Sequence, residues 1–457
     1  MAKKEILQNV GEVSPSLQPP AAFSATPSSG GDPRNAPVNT SIEAPYELPE
    51  GWKWIKIKDC FDVTSSKRVL KEDWKDKGIP FYRTRELVKL SENGFVDNEL
   101  FIDKSYYDEL KEKYGVPKIG DLLISGVGTI GVPFVITTED EFYFKDGNVI
   151  WFKNKGQIIP NYIFYLYRSD FIFNQIHNMS AGTTVDTYTI VNAMNTVIPL
   201  PPTLTEQQRI VNRIATMFAK LDQAQEKAQS VLDSFETRKA AILHKAFTGQ
   251  LKIDNEELTI EDWEETTIGE CCKLGSGGTP SKSHPEYYEN GDIPWLKTGE
   301  IDWNDIYDVE EKITNEGVEN SSAKIFPAES VVVAMYGMGV TRGKAAIIKI
   351  PTATNQAVCV LQPNEKLNNR FLFYYFMCNY WQIREQSVGG NQLNLSGKII
   401  ASFPIKLPPL NYQLSIVNFL DTVLEKESRA KEAAGAVLDQ IALLKKSILA
   451  RAFRGEL

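Results

Sequence analysis

Two segments of the chain carry apolar side chains at the alternating three- and four-residue steps of a heptad repeat. The first seam comprises Ile210, Ile214, Met217, Leu221, Ala224, Ala228, Val231 and Phe235. The second comprises Ile416, Leu420, Val423, Glu427, Ala430, Ala434, Val437 and Ile441, with Glu427 interrupting it. Each seam predicts a helix of about 43 residues, roughly 65 Å long at 1.5 Å per residue. Two seams of equal length predict helices that pack on each other.

These helical segments belong to an internal repeat. Gln207, Val231–Asp233 and the Ala-Phe-x-Gly-x-Leu sequence starting at Ala246 recur 206 residues later, at Gln413, Val437–Asp439 and Ala452. Upstream the match continues with a drifting offset, and Trp52, Ile57 and Cys60 match Trp263, Ile268 and Cys271. The chain therefore predicts a tail, a globule, a helix, a second globule and a second helix.

Both globules combine strand and helix patterns, which predicts an α+β fold. Apolar runs at residues 121–125 and 134–137, and at 330–334 and 345–350, predict strands separated by glycine-rich turns. Residues 141–152 predict a hairpin around Asp146-Gly147. An aromatic segment in each copy, around 161–177 and 369–384, predicts one helix with its aromatic side chains in the core.

The boundaries follow from the repeat and from composition. Residues 1–44 carry six prolines among Ser, Ala, Gly and Asn, and we expect this tail to be disordered. The remaining boundaries are predicted at residues 45–203 and 252–409 for the globules and at 204–251 and 410–457 for the helices.

Composition places the chain among ordinary multidomain proteins. Apolar residues make up 42% of its 457 residues and charged residues 24%, which is enough for real cores and excludes wholesale disorder. The net charge of −9 excludes a uniformly basic nucleic-acid coat, although it does not exclude a local basic surface. Five scattered cysteines are expected to be reduced thiols, and no apolar run reaches the ~18 residues of a membrane span. We expect a cytoplasmic protein with no membrane partner.

Motifs for catalysis are missing from the sequence. There is no GxxxxGK[ST] phosphate loop, and three separated histidines give neither a zinc cluster nor a visible Ser/His/Asp relay. Gly126–Gly131 fits GxGxxG, but the residues that follow predict a strand rather than the helix of a dinucleotide site. Glu310-Glu311-Lys312 has the ExK form of some nucleases, and we interpret it as a solvated charged face. We predict no cofactor, no metal site and no catalytic residue.

Polar loops that recur in both copies with different side chains suit DNA recognition. Arginine can bond guanine with two hydrogen bonds, glutamate can accept from cytosine, and backbone amides beside a lysine can hold phosphate. The predicted contacts in the first copy are Ser65, Ser66, Lys67, Arg68, Tyr82, Arg83, Arg85, Thr183 and Thr184. Those in the second copy are Gly277, Gly278, Thr279, Lys282, Lys297, Thr298, Glu300, Tyr336, Arg342, Asn391 and Gln392. Arg83 and Arg85 are the strongest candidates, while each loop taken alone is more typical of a surface turn.

The alignment of the two copies pairs Thr64–Lys67 with Thr279–Lys282, and Tyr82–Glu86 with Leu296–Glu300. For Arg85, the structural alternative is a surface ion pair. The two loop sets differ in side chains, which is what an asymmetric DNA site in two parts would need.

On these residues the chain resembles the specificity subunits of type I restriction-modification systems. The resemblance spans residues 46–457 and depends on a set of short motifs that occur in duplicate. These are Leu48–Trp52, Ile293–Leu296, Gly275–Pro280, the Leu-Pro-Pro that starts at Leu200 or Leu407, and the Ala-Phe-x-Gly-x-Leu that closes each helix.

The resemblance implies two target-recognition domains joined by an antiparallel coiled coil that acts as a spacer. Each domain would recognise one half of a split site in double-stranded DNA. The implied partners are methyltransferase subunits, two of them, which bind S-adenosylmethionine and methylate adenine. Restriction subunits for ATP-driven translocation and cleavage would join through the assembled complex, and the chain itself would catalyse neither reaction.

Two other function classes remain open from the residues alone. A coiled-coil scaffold or adaptor without DNA binding accounts for the helices and the acidic charge, but not for two unlike sets of polar loops. A stand-alone DNA-modifying enzyme lacks a catalytic motif.

Overall fold

The computed structural model describes residues 45–180, 186–251, 260–337, 339–387 and 394–457. The chain divides into two units, Met1–Glu47 and Leu48–Leu457. Only residues 45–47 of the first unit are described, so the predicted tail lies outside the described residues. Everything below concerns the second unit.

The first globule consists of short strands and helices that alternate along the chain. Its strands are β1 (Lys53–Lys56), β2 (Phe61–Thr64), β3 (Ile79–Tyr82), β4 (Phe101–Ile102), β5 (Leu122–Ser125), β6 (Pro133–Val135), β7 (Tyr143–Phe144), β8 (Val149–Asn154) and β9 (Val197–Leu200). Its helices are α1 (Ile57–Cys60), α2 (Thr84–Asn93), α3 (Lys104–Tyr114), α4 (Pro160–Tyr167), α5 (Asp170–Ser180) and α6 (Ile190–Asn195). The long helix α7 (Leu204–Phe247) follows.

The second globule repeats this order with additions. Its strands are β10 (Glu264–Thr267), β11 (Cys272–Gly275), β12 (Ile293–Leu296), β13 (Asp305–Ile306), β14 (Lys312–Ile313), β15 (Ile325–Phe326), β16 (Val331–Ala334), β17 (Ala345–Ile348), β18 (Thr352–Thr354), β19 (Val358–Pro363) and β20 (Pro404–Leu407). Its helices are α8 (Ile268–Cys271), α9 (Asn315–Glu319), α10 (Asn369–Cys378), α11 (Tyr380–Glu385) and α12 (Gly397–Ser402), and the long helix α13 (Leu410–Phe453) closes the chain.

Sheet topology confirms the repeat. The main sheet has the order β2-β8-β5-β6 in the first globule and β11-β19-β16-β17-β13 in the second. A smaller sheet, β4-β3-β7, corresponds to β14-β12-β18-β15, and the pair β1-β9 corresponds to β10-β20. The central strands β5 and β16 are buried along their whole length, because helices or the smaller sheet cover both faces. The fold is α+β, as predicted.

Two local predictions are wrong. The turn at Asp146-Gly147 exists, but β7 pairs with β3 and β8 pairs with β2 and β5, so the turn joins two different sheets and no hairpin forms. Each aromatic segment forms two helices instead of one. In the first copy the Ser169 hydroxyl interrupts the helix by donating to the Leu166 carbonyl at 2.6 Å. Phe173 and Trp381, in the second helix of each pair, are 54% and 66% exposed and do not belong to the core.

Helices α7 and α13, each of 44 residues, pack against each other in antiparallel orientation. Asp222 of α7 pairs with Lys445 of α13 at 2.6 Å, and Arg238 of α7 pairs with Glu427 of α13 at 2.8 Å. Residues further along α7 thus contact residues nearer the start of α13. The antiparallel coiled coil is therefore confirmed. Glu427, which interrupts the second seam, lies there because it meets Arg238 across the helix pair.

The seam prediction holds fully for α7 and partly for α13. None of the eight predicted positions in α7 is exposed. In α13, Ala430 and Val437 are exposed, whereas Ala434 and Ile441 are buried. The burial stripe drifts around α13 because a helix of 3.6 residues per turn does not keep a strict seven-residue period.

The end of each long helix packs into the globule that does not precede it. Phe453, at the end of α13, is 1% exposed and contacts Tyr162 of the first globule edge-on, with ring centroids 5.2 Å apart. Phe247, at the end of α7, contacts Phe371 of the second globule at 5.0 Å. The Ala-Phe pair of the repeated motif is therefore an anchor that joins each helix to the opposite globule.

The glycine of the same motif ends each helix. Gly249 and Gly455 have φ of 69° and 76°, in the left-handed region that glycine adopts without strain. After each glycine a backbone amide bonds back into the last turn, Gln250 to Lys245 at 3.1 Å and Glu456 to Arg451 at 2.9 Å. A Cβ at position 455 would lie 2.2 Å from Pro49, so this position also needs glycine for packing.

A buried glutamine joins the start of each long helix to its own globule. Gln207 is 1% exposed and its side-chain oxygen accepts from the Ile159 amide at 2.8 Å. Gln413, its repeat, is fully buried and accepts from the Asn368 amide at 2.9 Å. Ile159 and Asn368 are the capping residues of α4 and α10, whose first amides have no partner within their own helix. This bond accounts for the glutamine in the repeat.

We predict that Phe453→Ala lowers the free energy of unfolding by about 3–5 kcal/mol, because it leaves a cavity in the first globule. Urea unfolding of the full chain measures the change. Leu443→Ala is the matched control, since Leu443 lies on the same helix but is 67% exposed, and should change stability by about 0.5 kcal/mol or less. Equal losses from the two variants would contradict the anchoring role of Phe453.

Candidate nucleic-acid interface

Loops of the first globule meet at the edge where β2, β3 and β5 end. The Ser65 hydroxyl donates to the Val149 carbonyl at 2.7 Å and accepts from the Gly147 amide at 3.1 Å. The Asn148 carbonyl accepts from the Gly126 amide at 2.8 Å and from the Thr84 hydroxyl at 3.2 Å. We call residues 65–68, 83–85, 126–128 and 145–148 the first loop edge.

The second globule has an equivalent edge. The Met335 amide donates to the Ala357 carbonyl at 2.9 Å, as Gly126 does to Asn148. The Asn355 amide donates to the Leu296 carbonyl at 3.1 Å, and the Thr279 hydroxyl donates to the Gln356 side chain at 2.7 Å. Residues 276–282, 297–300, 335–337 and 355–357 form the second loop edge.

One further segment reaches each edge. The Tyr188 amide donates to the Gly126 carbonyl at 2.8 Å, and the Leu395 amide donates to the Met335 carbonyl at 3.0 Å. These residues follow residues 181–185 and 388–393, which contain the predicted contacts Thr183, Thr184, Asn391 and Gln392 and lie outside the described residues. Of the predicted contacts that are described, all but Tyr82 and Arg342 belong to one of the two edges.

The predicted serines hold the first edge together. The hydroxyls of Ser65 and Ser66 donate to the backbone carbonyls of Val149 and Phe144. The neighbouring side chains of Lys67 and Arg68 are exposed, and Lys67 Nζ lies 5.5 Å from the centre of the Tyr114 ring. At the second edge, Thr279 and Lys282 are exposed, as are Ser276 and Ser281 of the same loop.

Gly277 and Gly278, which were predicted as phosphate contacts, pack closely against other parts of the globule. Both residues are buried, and the Gly277 amide donates to the Thr354 hydroxyl at 3.1 Å. A Cβ on Gly277 would lie 1.9 Å from the Thr354 carbonyl oxygen, and one on Gly278 would lie 1.9 Å from the Ser322 hydroxyl. These glycines allow the backbone to pass close to β18 and to the loop before β15.

The alignment of the first pair of loops also needs correction. β2 ends at Thr64 and β11 ends at Gly275, so Ser65–Lys67 corresponds to Ser276–Gly278 rather than to Pro280–Lys282. The alignment of β3 with β12 is confirmed, since both strands end one residue before the cation of the motif, Arg83 or Lys297.

Arg83 and Arg85 are bound by acidic residues. Arg83 donates through Nε and Nη2 to the two carboxylate oxygens of Glu86, at 3.0 and 2.7 Å. Arg85 donates through Nε to Glu86 at 3.0 Å and through Nη2 to Glu99 at 2.5 Å. Glu86 is only 2% exposed. Burial by itself raises the pKa of Glu86, but the bonds from Arg83 and Arg85 outweigh it and lower the pKa to about 2.

The second copy keeps the carboxylate and changes the cations. Glu300 accepts from the amides of Lys297 and Glu310, at 3.3 and 2.9 Å, as Glu86 accepts from the Arg83 amide at 3.0 Å. Lys297 Nζ pairs with Glu311 at 2.9 Å, and glycine stands where the first copy has Arg85. The cytosine contact predicted for Glu300 would therefore require its carboxylate to leave two backbone amides.

The remaining described contacts differ in accessibility. Tyr82 stacks on Phe142 with ring centroids 5.0 Å apart, and burial raises the pKa of its hydroxyl. Tyr336 lies at the second loop edge and is 38% exposed. Arg342 lies in the β16–β17 loop, where its carbonyl accepts from Arg384. Thr298 is half-buried next to Lys297.

Sequence reasoning missed the residues that organise these edges. Glu86, Glu99 and Thr84 were absent from the predicted contacts, although Thr84-x-Glu86 and Thr298-x-Glu300 have the same spacing and recur after equivalent strands. A glutamate three residues into a turn is a known partner for the capping amide, so this signal was available. The role of Glu99 carried no local signal, and for the 145–148 turn the sequence indicated the turn but not its contacts with Ser65 and Thr84.

The described residues also bear on the metal-site, turn and cysteine predictions. They contain no group of three or more His, Cys, Asp or Glu side chains placed to hold a metal ion. Gly126–Gly131 joins the antiparallel strands β5 and β6, so the predicted strand-to-strand turn is confirmed.

Burial raises the pKa of the Cys272 and Cys359 thiols to about 12, which leaves them protonated near neutral pH. None of the described helices combines the length and hydropathy needed to cross a bilayer.

We predict that Glu86→Gln destabilises the chain by about 1–3 kcal/mol at pH 7, because it removes a buried carboxylate that two arginines share. The folded-state pKa of about 2 lies below the ordinary value of 4.5, so this stabilisation is complete above about pH 4.5 and is lost as the pH falls towards 2. The gap in unfolding free energy between wild type and variant should therefore narrow below pH 4.5. Glu92→Gln, an exposed change on the same helix, is the control. A gap that stays constant from pH 7 to pH 3 would contradict this account.

Comparison with known proteins shows the family. The model described as the type I restriction modification DNA specificity domain matches residues 49–232 and 260–434, one match for each copy of the repeat. A putative type I restriction enzyme specificity subunit of Methanocaldococcus jannaschii is 26% identical over 415 residues, which cover 84% of this chain and 90% of that protein. The EcoR124I/EcoR124II specificity subunit of Escherichia coli is 31% identical over 163 residues, 35% of this chain and 40% of that protein.

The fold is also shared with solved structures. A chain from a type I restriction-modification system superposes with a TM-score of 0.69 at 20% identity, over 90% of this chain and the whole of that chain. Three similarities agree with the structure: the fold, the duplicated family domain and a relative that is matched over most of its length. In the structure the loop edges are duplicated and the long helices are paired. The chain belongs to the family of type I restriction-modification specificity subunits, which recognise DNA sequence.

Proposed function

We propose that this chain recognises an asymmetric site in double-stranded DNA that is split into two halves, each half contacted by one loop edge. The observation that carries the proposal is that one loop architecture is built twice with different exposed side chains. The first edge offers Lys67, Arg68, Arg83 and Arg85, and the second offers Thr279, Lys282 and Lys297. Two such edges would recognise different half-sites, because base specificity depends on which side chains reach the groove.

The long helices support a fixed distance between the half-sites. Each helix is joined at its start to one globule and at its end to the other, so the globules cannot move apart without breaking buried contacts of Phe453 or Phe247. Two rigidly spaced edges would accept only one length of intervening DNA. We propose that α7 and α13 act as the spacer that sets this length.

We also propose that the chain catalyses no step and positions other subunits. These would be two methyltransferase subunits, which bind S-adenosylmethionine and methylate adenine, and restriction subunits that join through the assembled complex. Family membership supports this assignment. The net charge of −9 also favours weak DNA binding by the chain alone and tight binding once the methyltransferase subunits enclose the duplex.

The units of this function would be residues 45–203 and 252–409 for recognition and 204–251 and 410–457 for spacing. Helix α7 begins at Leu204 and α13 at Leu410, which supports these joints. Selection of duplexes from a random library by the complex with the methyltransferase subunit tests the proposal. Enrichment of a split motif is expected. No enrichment would favour a scaffold without DNA binding.

We predict that a matched deletion of one heptad from both helices shortens the gap between the half-sites and leaves the half-sites unchanged. Residues 222–228 and 439–445 suit this deletion, since Asp222 and Lys445 face each other. Seven residues rise ~10 Å, which corresponds to about three base pairs of B-DNA. Library selection by the variant complex measures the gap, and a matched insertion of seven residues should lengthen it. Altered half-sites with an unchanged gap would contradict the spacer role.

We predict that exchanging residues 45–203 for the corresponding domain of another family member changes one half-site only, because the second loop edge shares no loop with the first. Methylation mapping of the hybrid complex gives both half-sites. The reciprocal exchange of residues 252–409 is the control and should change only the other half. A change of both half-sites in either hybrid would contradict independent recognition.

A further inference from the structure

The guanidinium of Arg85 lies between two acidic side chains, one buried and one exposed. On one side Nε donates to Glu86, which is 2% exposed. On the other side Nη2 donates to Glu99, whose side chain is 67% exposed. Glu86 comes from the same helix as Arg85, whereas Glu99 comes from the segment that precedes β4.

The two acids differ in how firmly they hold the arginine. Glu86 also accepts from the Arg83 amide and from two nitrogens of the Arg83 side chain, so it cannot leave without uncovering several donors. Glu99 is bonded to Arg85 at 2.5 Å and lies 3.8 Å from Arg83. An exposed pair of this kind contributes little stability, since water screens it and both side chains lose freedom.

A carboxylate, a phosphate and the O6/N7 edge of guanine all bind the same face of a guanidinium. Glu99 thus occupies the place that a DNA acceptor would take on Arg85. We propose that Glu99 is a placeholder anion that DNA displaces, and that Glu86 is the positioning residue that keeps Arg85 aimed at the vacated place. This inference rests on the proposed function, because it assigns a state to one of its DNA contacts.

The second globule repeats the arrangement with other side chains. Lys297 pairs with Glu311 at 2.9 Å and with Glu310 at 3.6 Å, and both glutamates come from the segment that precedes β14, the counterpart of β4. Glu310 is 79% exposed and Glu300 holds the backbone, as Glu86 does in the first copy. The same segment thus supplies an exposed acid to a cation of the loop edge in both globules, although Lys297 takes the position of Arg83 and Gly299 that of Arg85.

A double-mutant cycle on the complex with the methyltransferase subunit tests the proposal. Glu99→Gln should tighten binding of the selected duplex by about twofold to fivefold, because DNA no longer has to displace an exposed ion pair. In an Arg85→Gln background the same change should give no more than the small gain of the Glu92→Gln control, since Glu99 then has no Arg85 to cover. A gain on unrelated duplexes as well identifies a phosphate as the acceptor, and a gain restricted to the selected site identifies guanine.

The matched control is Glu92→Gln, which removes the same charge from the other end of α2, where Glu92 is exposed. Glu92→Gln should change the affinity for the selected duplex by the same small factor whether residue 85 is arginine or glutamine. Melting temperatures of all variants report whether each still folds. Unchanged affinity of Glu99→Gln, or an equal gain in the Arg85→Gln background, would overturn the inference while leaving the proposed function intact. A wild-type complex that selects no duplex would contradict the proposed function itself.

Discussion

The structure depends on the reciprocal anchoring of its two long helices. Each helix starts under one globule, through a buried glutamine, and ends in the core of the other, through an Ala-Phe pair and a glycine turn. Phe453 lies against Tyr162 in the first globule, and Phe247 lies against Phe371 in the second. The core of the first globule is therefore completed by residues near the end of α13. This closure joins the two copies of the repeat through buried contacts at both ends of the helix pair.

Within each globule, the residues that hold the loops together are distinct from those that remain exposed. Ser65, Thr84, Glu86 and Glu300 bond to the backbone or to neighbouring side chains and fix the loop shape. Lys67, Arg68 and Lys282 project from the same loops. Separating the two tasks lets the exposed side chains change while the edge keeps its geometry, which suits a family whose members recognise DNA sequence. Glu99 and Glu310 belong to a third group, because they are exposed and yet pair with Arg85 and Lys297.

Much of the architecture could be predicted because it follows from local hydrophobic periodicity and from the internal repeat. The heptad steps gave both helices, and the repeated Ala-Phe-x-Gly-x-Leu marked their ends. Features set by distant contacts were predicted less well. The glycines at 277 and 278 resemble a phosphate loop locally, but they are required by the approach of Thr354 and Ser322. Arg83 and Arg85 were identified as candidates, but Glu99 lies in the segment before β4, and sequence spacing could not place that segment beside them. The turn at Asp146-Gly147 was visible, but not which sheets it joins.

The central claim is that one loop architecture, built twice on a rigid spacer, recognises two halves of one DNA site. Methylome sequencing of the source cell, with and without this gene, tests it most directly. The account predicts a methylated motif made of two different half-sites separated by a fixed run of unspecified bases, which disappears when the gene is deleted. A continuous motif, a gap of variable length, or methylation that persists without the gene would contradict it.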